Sequence, residues 1–227
     1  MNRCHHRPKN LLFSHFRRWT LLCGGCCFAV FSGCETNRTV NKPQPPAEQH
    51  AEVANPKEGE QKNSEFAEAE DPGRFQQLMR AATNGSVTEL QKLVDAKLDL
   101  NQSDEEGITP LMIASFSGHS RAVRLLIDNG ADVNSKNAVD RTALMMAATC
   151  DNPDVVRLLI DAGADVAATD SAEGFTALMF AASEGRQTAV RLLLAAGADK
   201  QKKDIDGESA LDFARANGHE SVVKILQ

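Results

Sequence analysis

Cysteine is nearly missing from this chain once its beginning is passed. Five of the six (Cys4, Cys23, Cys26, Cys27, Cys34) fall within the first 34 residues, which leaves Cys150 alone in the remainder. A lone thiol excludes a disulfide framework. A basic surplus is missing too. The formal charge is −6; residues 1–33 hold five Lys/Arg and no acid, and without them 20 bases face 31 acids. That balance argues against nucleic-acid binding, which needs a basic footprint. The apolar run near the start is short, and an uncleaved signal anchor stays open as its alternative to a cleaved export signal. Trp19–Gly33 is 15 residues long, short of the roughly 20 that a spanning helix needs. Metal-ligand spacings are equally scarce. Cys23-Gly24-Gly25-Cys26-Cys27 lies inside that apolar run and reads as small hydrophobes. Asp204-Ile205-Asp206-Gly207 opens like a calcium loop, but the rest of the EF-hand spacing does not follow.

What the chain has is repetition. Gly107–Asn134, GITPLMIASFSGHSRAVRLLIDNGADVN, returns as 141–168, as 174–201 and, shortened, as 207–227. Thr109 maps to Thr142, Thr176 and Ser209, at intervals of 33, 34 and 33 residues. A repeat of this length dictates architecture by itself. Each copy encodes two short helices and an extended connection. The hydroxyl residue suits a helix N-cap, and Pro110 suits the first turn, where its missing N–H is no loss. Leu111/Ala114 and their equivalents Leu144/Ala147, Leu178/Ala181 and Leu211/Ala214 mark one apolar face, the alanines allowing close approach. The second helix, with Val123, Leu125, Leu126 and Ile127, ends at Asn129-Gly130, where glycine can take the left-handed C′ conformation. In the second of these copies, 141–168, Asp151 replaces the turn glycine, and Asn152-Pro153 supplies a cap followed by proline.

TPLMIA, TALMMA and TALMFA, each followed by V-R-L-L-[IL] and G-A-D, resemble the ankyrin repeat family. The resemblance implies an all-α repeat solenoid of about five ankyrin repeats, paired antiparallel helices with hairpin-like loops. The units are expected near 74–106, 107–140, 141–173, 174–206 and 207–227, in a domain spanning 73–227. Phe75, Leu78, Ala81, Ala82 and Gly85 align one period upstream of the second unit, as a degenerate first copy. Lys92 and Gln227 put polar side chains at otherwise apolar positions of the end units, as expected of caps. The additional residue of the longer interval falls within 166–174 and predicts a longer loop tip there. The histidine familiar after TPL in that family is replaced by Met112, Met145, Met179 and Asp212, so its bonds to the hairpin backbone should be absent or supplied differently.

Residues 1–18 are basic, and the apolar run that follows gives the layout of an export signal. It ends in Phe31-Ser32-Gly33-Cys34, which resembles a bacterial lipobox and implies cleavage before Cys34 and acylation of that residue. Two acyl attachments meet the two-signal requirement for stable anchoring. Residues 34–72 read as a linker: Pro43, Pro45, Pro46 and Pro56, an acidic balance and one aromatic, Phe66, leave too little apolar surface to offset ordering entropy. Such a chain spans about 35 Å root-mean-square. Glu35, in place of the aspartate associated with inner-membrane retention, favours the outer membrane by resemblance. The expected location is the cell envelope, lipid-anchored and facing the periplasm.

Convergent polar groups of a catalytic kind are not evident. His119 and His219 correspond to Asn152 and Arg186 in the other units, and Cys150 has no histidine beside it in its repeat. No enzyme activity, cofactor or metal is expected. The expected function is binding of an unidentified protein, on the face that ankyrin proteins build from loop tips and first helices. By that resemblance the contact residues are Ile108, Phe116, Val139, Arg141, Thr149, Phe175, Glu184, Ile205 and Glu208. Apolar Ile108, Phe116, Val139, Phe175 and Ile205 suggest a protein contact; the alternative is that several tuck into neighbouring loops. On the contact reading, serine at Phe116 and Phe175 weakens partner capture and leaves the melting temperature unchanged. Two other functions stay open: an envelope accessory holding a small molecule or glycan on this face, and a cytosolic interaction protein.

Overall fold

The computed structural model describes residues 72–227; the export-type segment, Cys34 and the linker lie outside the described residues. Ten helices follow in five pairs: α1 Pro72–Asn84 with α2 Val87–Asp95, α3 Pro110–Phe116 with α4 Ser120–Asp128, α5 Ala143–Thr149 with α6 Pro153–Asp161, α7 Ala177–Ser183 with α8 Gln187–Ala195, and α9 Ala210–Ala216 with α10 Glu220–Leu226. Among the described residues there is no strand, only an isolated bridge between Lys203 and Ser209. First helices pack on first helices and second on second. The fold is an all-α repeat.

A seven-residue helix such as α3 is far too short to stand alone in water. Stacking and capping supply what propensity cannot. The Oγ1 atoms of Thr109, Thr142 and Thr176 accept the N–H groups of Met112, Met145 and Met179 at 3.3, 3.5 and 3.3 Å. Met179 Sδ in turn lies 3.5 Å from the Thr176 N–H, and Ser209 donates from N and Oγ to Asp212 Oδ2 at 3.0 and 2.6 Å. Met179 and Asp212 thus supply local side-chain bonds at the place of the family's histidine, while Met112 and Met145 contribute only their backbone N–H groups. First helices are buried nearly all round: every residue of 143–148 and 177–182 is buried. Second helices bury one stripe, as with Ala122, Val123 and Leu126 of α4. Fully buried Ala114, Ala147, Ala181 and Ala214 let successive first helices touch. Each leucine in this row (Leu111, Leu144, Leu178) contributes about 1.5–3 kcal/mol on burial.

Polar bonds stitch unit to unit at three levels. At the helix turns, His119 Nε2 lies 2.8 Å from the Thr83 carbonyl oxygen and His219 Nε2 2.9 Å from that of Ser183. Asn152 Nδ2 donates to Gly118 O at 2.7 Å, and Arg186 Nε to Thr149 O at 3.1 Å. Three kinds of side chain at one repeat position therefore share one structural task. Gly85 and Gly185 make room for the rings: a Cβ there would fall 2.5 Å from His119 Cγ and 2.6 Å from His219 Nδ1. Both also have φ above +60°. In the third unit Cys150 ends α5 in an extended conformation (φ −80°, ψ 161°), and Asn152 caps the Asp154 N–H at 3.1 Å, so no glycine is required.

The second level is an asparagine ladder. Asn101 donates to Gly130 O (3.4 Å) and accepts from the Asp132 N–H (2.8 Å); Asn134 repeats this with Gly163 O (3.1 Å) and Asp165 (2.8 Å). Ala167 takes the next place, and the ladder stops. The third level is the loop tips. Asp104, Asn137, Asp170 and Asp204 each accept two backbone N–H groups of their own tip through Oδ1, at 2.7–3.1 Å. Neighbouring tips join through Ala138 N–H to Glu106 O, Ser171 N–H to Val139 O and Ile205 N–H to Glu173 O, at 2.9, 3.0 and 3.0 Å. Three tips close four residues after their Asx residue, whereas Asp170 closes five residues on, at Phe175. The additional residue of the long interval sits in that tip.

Two stability effects follow from these contacts. Ala167→Asn should extend the ladder to Gly197 O and the Asp199 N–H, raising stability by about 1 kcal/mol, the net value of a made hydrogen bond. Urea unfolding of the variant checks it through its midpoint. Ser115 Oγ is fully buried with no hydrogen-bond partner, while the equivalent residues Ala82, Ala148 and Ala182 carry no hydroxyl. Removing an unsatisfied buried hydroxyl relieves about 1–3 kcal/mol of desolvation. Ser115→Ala should therefore melt higher than wild type in a calorimetric scan.

Candidate protein-interaction face

The tips and the first helices present a common face, because each tip leads directly into the N-cap of the next first helix. Pinned by the Asx side chains and by the tip-to-tip bonds, its backbone is ordered before any partner arrives. Ile205 is its most exposed large apolar residue, at 73 %, and Glu208 is exposed beside it. Ile108, Phe116, Val139, Thr149 and Glu184 are half-buried. The Ile108 N–H is held by Asp104 at 2.7 Å, and the Thr149 hydroxyl donates to Met146 O at 2.8 Å while its carbonyl takes Arg186.

Two expected contact residues do other work. Phe175 is only 8 % exposed. Its ring meets Phe180 edge-on at 5.4 Å and Phe213 at 4.9 Å between centroids, with interplanar angles of 69° and 60°. The longer tip folds Phe175 inward against these first helices, so it belongs to the core. Arg141 is clamped as well. Its Nε donates to Asp170 Oδ2 at 3.0 Å, with 18 % of the Arg141 side chain and none of the Asp170 side chain exposed, and its guanidinium carbon stands 5.2 Å from the centre of the Phe180 ring. Arg141, Asp170, Phe175, Phe180 and Phe213 thus bind units three, four and five together where the asparagine ladder is interrupted. Asp170 and the two further phenylalanines were missed by reasoning from exposure. Recurrence marked them: Asp104, Asn137, Asp170 and Asp204 fall at intervals of 33, 33 and 34 residues.

Chemistry on this face is quiet. Cys150 Sγ lies 3.8 Å from Asn152 O, and burial pushes its thiol up, more than the Asn152 bond and the Arg186 charge bring it down. The sulfur is therefore a protonated thiol at neutral pH and a poor nucleophile. Arg186, 3.4 Å from Asp151, is committed to its bond with the preceding unit. Bonds from Ser209 hold the Asp212 carboxyl below the usual carboxylate range. Among the described residues no group of three or more His, Cys, Asp or Glu is gathered to hold a metal ion, and no helix is long and apolar enough to cross a membrane.

A family model described as ankyrin repeats (three copies) matches residues 78–170 and 167–227, well over half of the chain. The chain belongs to the ankyrin repeat family. No curated protein matches it. Ankyrin repeats are protein-interaction modules and are generally not enzymes. In an ankyrin array of this kind, side chains that hold unit to unit and side chains left for a partner should separate on substitution. Phe175→Ser should cost about 3 kcal/mol or more, as expected for a large-to-small core change. Phe116→Ser, at a half-buried position, should cost less than half as much. Thermal unfolding of the two single variants side by side makes the comparison.

Proposed function

We propose that this is a lipid-anchored ankyrin repeat protein of a bacterial cell envelope, which binds another protein through its tips and first helices. The observation that carries the anchoring is Phe31-Ser32-Gly33-Cys34, set at the end of a basic and then apolar segment and followed by an acidic, proline-containing stretch. Acyl chains on Cys34 would hold the protein at the membrane, and the stretch to Pro72 would set how far the array reaches. Glu35 supports the outer membrane as the site of anchoring, with the array facing the periplasm. Rigid-surface recognition is the mechanism: the tips are ordered in advance, so little conformational entropy is lost on binding. A small molecule or glycan would need free polar groups converging on one point. Asp104, Asn137, Arg141, Thr149, Asp170 and Asp204 are instead bonded within the protein.

Membrane fractionation of cells expressing wild type and Cys34→Ala tests the anchoring. Wild type should sediment with membranes and partition into detergent, with a mature N-terminus at Cys34. The variant should lose the lipid. A variant that stays membrane-bound with an uncleaved N-terminus overturns the anchoring, and wild type recovered in the cytosol overturns the envelope location.

A further inference from the structure

The proposed binding face carries an excess of acid. Glu105, Glu106, Asp206 and Glu208 are exposed along the tips, and Glu173 is half-buried among them. Cations there are fewer: Lys136 lies 4.0 Å from Asp140 and Arg141 is bound to Asp170, while Lys202 and Lys203 stand exposed just before Asp204. Asp104 and Asp204, which order the first and last tips, add two further carboxylates at their bases. The second helices on the other side are mixed in sign. Exposed Arg121, Arg124, Arg157, Arg191 and Lys224 stand among exposed Asp128, Asp154, Asp161 and Glu220. The acid excess thus belongs to the tips.

Apolar side chains sit inside this acid margin. Ile205, 73 % exposed, stands between Asp204 and Asp206. Its backbone is held in place, with its N–H bound to Glu173 O at 3.0 Å and the Asp206 N–H held by Asp204 Oδ1 at 3.0 Å. Toward the other end, Ile108 and Ile113 are half-buried next to the tip of Glu105 and Glu106, with Phe75 and Met79 of α1 in the same state. A neutral apolar partner would cover these carboxylates and strip their water without compensation. An anionic partner, including an anionic lipid surface, would be repelled. A partner with cations at its margin gains attraction and faster encounter.

We infer that the partner of this face is a cationic amphipathic segment of a protein, presenting lysine or arginine beside apolar side chains. The inference rests on the reading of the tips and first helices as the binding face, and adds the chemistry of what they bind.

Fluorescence anisotropy with the full chain in detergent tests both. The probes are three labelled synthetic peptides: one alternating lysine and leucine, one with glutamate for each lysine, and one with serine for each leucine. The lysine–leucine peptide should bind, weaken as salt is raised, and outcompete both comparators. Glu105→Lys with Glu106→Lys, and separately Ile205→Ser, should each weaken it about tenfold or more, the loss expected when a complementary pair becomes a like-charge contact or an anchor is removed. Arg124→Glu with Arg157→Glu, on the second helices, should change it less than twofold. These positions are exposed, and an unchanged melting temperature verifies that each variant is folded. Glutamate–leucine binding that Ile205→Ser abolishes overturns the cationic chemistry and leaves the face in place. Binding of any peptide that ignores every tip variant overturns the face itself, and failure of the lysine–leucine peptide to bind overturns the inference.

Discussion

No helix pair in this protein can bury its own apolar surface. A seven-residue helix nucleates poorly and holds few internal hydrogen bonds. Its leucines leave water only when another unit lies against them. Everything else follows from that dependence. The alanine row lets first helices come close, the threonine caps end their unsatisfied N–H groups, and the side chains of His119, Asn152, Arg186 and His219 tie each turn to the one before. Stability is then a sum over neighbouring interfaces, as in any array built this way.

The interfaces are not equal. Units one to three are joined by the asparagine ladder, which stops at Ala167. Across units three to five the protein relies on a different set of contacts: a buried ion pair between Arg141 and Asp170, a cation over an aromatic ring, and three phenylalanines meeting edge to face. The longer tip makes this possible, since its additional residue lets Phe175 turn inward. Breaking the ion pair from one side would leave a buried charge unpaired, a loss of about 3–5 kcal/mol. This junction therefore combines strong contacts with little tolerance for single changes.

Recognition is left to the residues that the scaffold does not use. On the tips the Asx side chains are fully engaged in ordering the loop, while the residues between them vary from unit to unit. That division lets one backbone carry Glu105-Glu106, Ala138-Val139 and Ile205-Asp206 at matching places. Membership of the ankyrin family carries a protein-interaction role. The proposed kind of partner rests on these variable residues.

The repeat made the helix pairs, their caps, the glycine turns and the position of the longer tip legible without coordinates, because a 33-residue period forces equivalent residues into equivalent contacts. The lipobox-like segment lies outside the described residues and is read from the local order of residue types alone. Burial at the individual tips was not legible. Phe175 and Arg141 share a repeat position with Ile108 and Glu208, yet two of the four are bound into the core and one is exposed. Periodicity assigns a residue to a row, and neighbours three dozen residues away decide whether that row is covered. For Arg141 the deciding neighbour in the next unit is Phe180, and for Phe175 it is Phe213, contacts that exist only once the units have stacked.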